Sequence, residues 1–289
     1  MNLKAILGKK KKVIFPDDII AAISNDEFLK PKTGPLAAKA IKEMIYSSNV
    51  LTNNEDIEEV WFKGEEIPAY ACSECSNLQR VHIAKTICRI GECAFSNCIS
   101  LSTVLFEEGS LLDVIENEAF AYTGMTDIQL PKNLREIRRG AFCGCQELTN
   151  VSISKSGSLE VIAASAFRNC STLKDIPFEE TSLKEIGCFA FFGCHQLRNA
   201  KFSATIQNIG KSAFFNSGIE YVDLSRTAIT IIDSKTFMNN SIKNVLLPYI
   251  ISEIGDSAFK GNNIASINIP AVCEIAHNSF DDSVVIKKI

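Results

Sequence analysis

The sequence predicts a strand-dominated repeat solenoid with one parallel sheet and few helices, and three observations predict it. First, Ala-Phe or a near variant recurs ten times, its second member being Cys72, Phe95, Phe120, Phe142, Phe167, Phe191, Phe214, Phe237, Phe259 and Phe280. The steps are 23, 25, 22, 25, 24, 23, 23, 22 and 21 residues. A period in this range means one supersecondary unit stacked many times. Second, an isoleucine stands five residues before every ring position, from Ile67 to Ile275. Third, an L-x-x-V-x-I pattern follows the ring, as in Leu78/Val81/Ile83 and Leu148/Val151/Ile153. Its closing alternation is a period-2 strand with one face buried.

Each element of the coil has a local reason. The residue before the ring position is always small, being Ala in eight copies, Thr236 and Ser279 in the others. A small side chain there lets coils approach while the ring fills the interior. Eight residues before the ring stands an aliphatic in nine copies, from Ile87 and Leu112 to Ile251 and Val272. After the ring comes a corner of two lengths. The longer form carries a cysteine three residues on, at Cys75, Cys98, Cys145, Cys170 and Cys194. The shorter carries Thr123-Gly124, Ser217-Gly218, Asn240-Ser241 or Asn262-Asn263. Gly and Asn tolerate positive φ and close tight turns. The expectation is that the longer corner is plugged by an inward, structural thiol and that the shorter needs no plug.

Two segments lie off the pattern. Residues 1–55 read as an N-terminal helical cap, with Pro16-Asp17-Asp18 opening one helix and an apolar stripe at Ala37, Ile41, Met44 and Ile45 marking another. Residues 56–289 form the solenoid of about ten repeats, closed by a shortened strand over Val284 to Ile289. At about 4.7–4.9 Å per strand, ten strands give a curved rod roughly 45 Å long.

Whole-chain numbers narrow the function classes. The 289 residues are 46% hydrophobic, and 30 basic against 34 acidic residues leave a net charge of −4. A mildly acidic chain without a basic stripe is a poor nucleic-acid binder. The run Lys9-Lys10-Lys11-Lys12 reads as a solvated tail. No stretch reaches the roughly 18 consecutive apolar residues of a membrane helix. The start does not read as a signal peptide, because its lysines follow the short apolar piece Leu3 to Leu7. By default that places the chain in the cytoplasm. Eleven cysteines are many, yet most fall at repeat-determined positions, where reduced thiols act as small hydrophobes.

The combined motif is carried best by Ile87-Cys-Arg-Ile-Gly-Glu-Cys-Ala-Phe-Ser-Asn-Cys98 and Leu183-Lys-Glu-Ile-Gly-Cys-Phe-Ala-Phe-Phe-Gly-Cys194. It resembles the BspA-like type of leucine-rich repeat over about residues 57–289. The resemblance implies a right-handed, horseshoe-like coil that binds proteins. It also implies a surface role, since many members look like adhesins of bacteria and protists; cell-surface or host-delivered action would follow.

In such a stack the outward strand residues form two columns on the concave sheet. One runs through Trp61, His82, Leu105, Gln129, Ser152, Pro177, Lys201, Asp223, Leu246 and Asn268; the other includes Glu59, Arg80, Asp127 and Tyr221. The candidate partner-binding residues are Trp61, His82, Leu105, Gln129, Lys201, Tyr221, Asp223 and Leu246. Their mixed chemistry suits a protein ligand. Trp61, the sole tryptophan, is either an exposed anchor or packed beneath the N-terminal cap. No cofactor, catalytic residue or metal site is expected, and a monomer is. The alternative is a metal or thiol-redox protein built on Cys72-Ser-Glu-Cys75, with Cys88, Cys93 and Cys98 nearby. The repeat explains Cys72 as a ring slot and Cys75 as a corner slot.

Overall fold

The computed structural model describes residues 11–17, 51–154 and 157–289. The helical cap expected over residues 1–55 falls mainly outside these residues. The remainder is a parallel β-solenoid whose coils follow the repeat.

The strands of the L-x-x-V-x-I element line one face. They are β1 (Lys12–Phe15), β2 (Glu59–Phe62), β3 (Arg80–Ile83), β4 (Thr103–Phe106), β5 (Asp127–Leu130) and β6 (Asn150–Ile153). β7 (Asn199–Lys201), β8 (Tyr221–Asp223), β9 (Asn244–Leu246), β10 (Ser266–Ile269) and β11 (Val285–Lys288) continue the series. All pairings are parallel. The closing strand β11 lies where the sequence places it. β1 is an addition: the short apolar piece Val13-Ile14-Phe15 extends the sheet one strand beyond the repeats, with Val13 and Phe15 buried.

The expected sheet is present in segments, joined as β1–β2–β3–β4, β5–β6, β7–β8–β9 and β10–β11. A second, narrower ladder runs beside it. The recurrent isoleucine is the second residue of a two-residue strand in every coil, so Ile67 pairs with Ile90, Ile90 with Ile115 and Ile115 with Ile137. This ladder runs unbroken through seven coils, from Glu66–Ile67 to Asn208–Ile209.

Proline accompanies each parting of the wide sheet. In the paired strands, the amide after the last inward residue donates to the preceding strand: Lys63 to the Phe15 carbonyl at 2.9 Å, Ala84 to Phe62 at 3.0 Å and Glu107 to Ile83 at 2.9 Å. Pro131 holds that position after β5 and Pro270 holds it after β10, and neither has an N–H to give. Between β6 and β7, Pro177 leads into a 3-10 turn at Phe178–Glu180 instead of a strand. Pro248 holds the same position after β9, where pairing with β8 survives over three residues. Proline therefore weakens the ladder without always breaking it.

Inside, the ring positions form one row. Phe95, Phe120, Phe142, Phe167, Phe191, Phe214, Phe237, Phe259 and Phe280 stack with centroids 5.1–5.5 Å apart and planes within 14°. Where Cys72 replaces the ring, Phe62 from β2 meets Phe95 edge-on at 5.6 Å. Small neighbours let the backbone close the third side: the Phe95 amide donates to the Ala119 carbonyl at 2.8 Å and Phe142 to Ala166 at 2.7 Å. In every coil but the last, residues two before and two after the ring position take positive φ, as at Cys93 (51°) and Asn97 (61°). Their amides thereby also face the next coil, Cys93 reaching Asn117 and Asn97 reaching Ala121, both at 2.9 Å. Left-handed backbone costs roughly 1–2 kcal/mol per residue. The inter-coil hydrogen bonds, worth about 1 kcal/mol each, offset much of it.

The corner cysteines point inward and are fully buried. Each thiol donates to a carbonyl of the coil before it: Cys98 to Cys72 at 2.9 Å, and Cys145, Cys170 and Cys194 to Phe120, Phe142 and Phe167 at 3.1 Å. The short corners differ from expectation, because three of them are plugged too. Ser217, Asn240 and Asn262 stand at the same offset and donate to Phe191, Phe214 and Phe237 at 2.6, 2.7 and 2.9 Å. What recurs is a donor for the ring residue's carbonyl, and a thiol, hydroxyl or amide serves. Glycine closes the short corners by allowing approach: a Cβ on Gly124 would overlap the Ile99 carbonyl oxygen, and one on Gly218 that of His195.

One aliphatic position is corrected. In the last coil Val272 is 83% exposed and Cys273 is buried in its place. The coil is one residue shorter between this position and Phe280 than its neighbours, so the inward site shifts by one.

Replacing Phe142 by Ala should cost roughly 3–5 kcal/mol, since the row leaves no side chain free to refill the cavity. Urea denaturation of the variant measures this, and an unchanged midpoint would contradict the packing described.

Candidate functional site

Alternation along each strand turns one residue set into the core and the other onto the open face. Register then decides which outward residues meet. Trp61, His82 and Leu105 are direct cross-strand neighbours on β2, β3 and β4. The indole and imidazole stack in parallel, with centroids 4.5 Å apart and planes 5° from parallel. Lys12 from β1 lies over the indole, its Nζ 5.6 Å from the ring centroid. Trp61 is half-buried beside β1, with His82 and Lys12 set against its ring.

Beneath this stack sits Glu59, an outward residue by alternation yet only 5% exposed. Its Oε1 accepts from Arg80 Nε at 3.1 Å and contacts His82 Nε2 at 2.8 Å; its Oε2 lies 2.9 Å from Lys12 Nζ. Hydrogen bonds from Arg80, Lys12 and His82, in that order, outweigh burial and hold the carboxyl at about 2, down from 4.5. Lys11 and Lys12 are therefore engaged, Lys11 pairing with Glu58 at 2.6 Å and Lys12 with Glu59.

A second group lies on β7, β8 and β9. Lys201, Asp223 and Leu246 align across the three strands, with Tyr221 two residues before Asp223. Asp223 Oδ1 accepts from Ser225 Oγ at 2.7 Å and from its amide at 3.0 Å, and Tyr221 Oη approaches Oδ2 at 3.4 Å. Burial opposes ionisation of Asp223, but the bonds from Ser225 and Tyr221 prevail and its pKa falls. Burial and the Asp223 charge raise that of Tyr221. Gln129 stands apart from both groups, exposed on β5 beyond the parting next to β4. The structure thus brings seven of the eight candidate residues into two groups. Sequence reasoning placed Glu59 on the flanking column and missed its burial; the signal was the apolar piece that became β1.

The cysteine-rich coils give little to metal or redox chemistry. Among the described residues, no three His, Cys, Asp or Glu side chains stand close enough to hold a metal ion. The eleven cysteines are free, and Cys72, Cys75 and Cys98 are buried. Burial pushes the Cys72 and Cys98 thiols up, away from the thiolate that nucleophilic or ligand chemistry needs. His195 and His277 are exposed, and among the described residues neither lies within ion-pair distance of a carboxylate.

Glu59 has a folded pKa below its unfolded value, so its contribution is full above pH 4.5 and lost as pH falls toward 2. The melting-temperature gap between the protein and a Glu59→Gln variant should be widest above pH 4.5 and close toward pH 2. A gap independent of pH would show that the ion-pair cluster contributes nothing through charge.

Comparison with known proteins agrees with this architecture. The model of the BspA type leucine-rich repeat region matches residues 65–184 and 160–287 in six copies. A leucine-rich repeat protein from Bacteroides ovatus is similar in structure, with a TM-score of 0.55 and 22% identity over 81% of this chain and 75% of that one. A leucine-rich cell surface protein from Faecalibacterium prausnitzii aligns over 96% of this chain and 80% of that one, at 16% identity and a TM-score of 0.38. No curated protein matches the chain. No helix of the described residues is long and apolar enough to cross a membrane. The stacked rings, the isoleucine ladder and the family match lead to one conclusion: this chain belongs to the BspA-type leucine-rich repeat family.

Proposed function

We propose that this protein is a non-enzymatic interaction module, acting as a monomer, whose concave sheet holds a protein partner. The observation that carries the reading is the pre-set Trp61–His82 stack on an otherwise open strand face. An aromatic already fixed by its neighbours loses little side-chain entropy on binding, and such residues anchor interfaces. The second group adds what a protein surface recognises: a cation at Lys201, an anion at Asp223 and apolar surface at Leu246, which is 45% exposed. Charges of both signs on one face suit a protein better than a polyanion. Repeat stacks use their length in this way, spreading contacts over several coils. A surface or host-delivered setting, as the family resemblance implies, would turn this face toward proteins of a host or a neighbouring cell.

Partner capture from the native source should fall sharply for Trp61→Ala and for Asp223→Lys, while both variants melt as cooperatively as the unaltered protein. Undiminished capture by both would remove the concave sheet from the interaction.

A further inference from the structure

The wide sheet parts between β4 and β5 and leaves a cavity of about 930 Å³. The parting is local. On either side of it the ring row continues, Phe95 on Phe120 at 5.1 Å, and the isoleucine ladder crosses without a break. Asn133 Nδ2 also donates to the Ser110 carbonyl at 2.7 Å, tying the two coils beyond the strands. The walls are therefore fixed by the core.

Two features of the cleft specify an occupant. The first is main chain. Successive strand residues turn their N–H and C=O alternately to the two sides. The alternation that sends Glu107 N–H back to β3 sends those of Val104 and Phe106 toward the cleft. Gln129 and Asp127 on β5 face it from the other wall. No ladder joins β4 to β5, so these are two strand edges opposed across a gap. Val104 and Phe106, whose inward counterparts on β2, β3 and β5 are buried, are partly exposed here and floor the gap with apolar surface. The second feature is charge. Among the described residues, Glu107, Glu108 and Asp127 line the cleft against one cation, Lys132.

We infer that an extended peptide segment of a partner, with basic residues alternating with apolar ones, docks in this cleft as an added strand. It would hydrogen-bond along the edges of β4 and β5, set its apolar side chains on Val104 and Phe106, and present its cations to the acidic rim. Strand addition draws affinity from main-chain bonds and selectivity from alternate side chains. The inference rests on the protein-binding reading and deepens it by naming the partner's chemistry.

Fluorescence anisotropy of the full chain with a labelled heptapeptide of alternating Lys and Val tests it. A twin with Glu for Lys and an N-methylated twin that keeps the charges but lacks backbone donors serve as controls. Saturable binding is expected for the first peptide, with both twins and the variants Asp127→Lys and Gln129→Pro weaker by about tenfold or more. Asp127→Lys is an exposed charge change, so it reports even if Gln129→Pro misfolds. Absence of saturable binding overturns the inference, as does equal binding by the N-methylated twin or by Asp127→Lys. If the peptide fails while partner capture still depends on Trp61 and Asp223, the cleft assignment alone is lost. If capture ignores those residues as well, the concave-face reading falls with it.

Discussion

Coil-to-coil spacing is the constraint from which the rest of this structure follows. Parallel strands sit about 4.7–4.9 Å apart, and stacked rings prefer separations only slightly larger. The ring row, at 5.1–5.5 Å, meets that spacing from the inside. Every other recurrent feature serves the same approach. The small residue beside the ring lets backbone meet backbone, as when the Phe120 amide reaches the Ala141 carbonyl at 2.8 Å. The paired isoleucines hold a second side of the coil, and the longer strands hold the third.

Close stacking leaves polar groups that must be satisfied inside, because a buried carbonyl without a partner costs about as much as a lost hydrogen bond. The offset three residues past the ring answers this. Cys145, Ser217 and Asn240 look unrelated as residue types, yet each donates to a carbonyl of the preceding coil. No buried side-chain nitrogen or oxygen among the described residues lacks a partner. The many cysteines of this chain are one solution to a backbone problem, which is why their positions follow the repeat and not a chemical motif.

The open face obeys looser rules, and its distinctive features come from local departures. β1 adds a strand from outside the repeats and lowers Lys12 onto both Trp61 and Glu59, converting an exposed acid into the centre of an ion-pair cluster. Pro131 removes a donor where the ladder would continue, and the sheet opens over a core that stays closed elsewhere. The rigid side of the coil makes such departures affordable.

By itself the sequence determined the period, the inward residues and the strand register. Phe142, Ile137 and Cys145 were legible because each sits at a fixed offset and every neighbouring coil imposes the same environment. Val272 was misread because a one-residue shortening shifts Cys273 into the core, and offsets are blind to that. Only the tertiary structure decided that Glu59 is buried, since its cover arrives from β1, 47 residues away in the case of Lys12. The cleft was likewise out of reach: Pro131 marked a missing donor, but whether strands part depends on how firmly the coils are held on their other sides. Repetition makes a core readable one residue at a time, whereas a surface is made by the relative placement of strands distant in the chain.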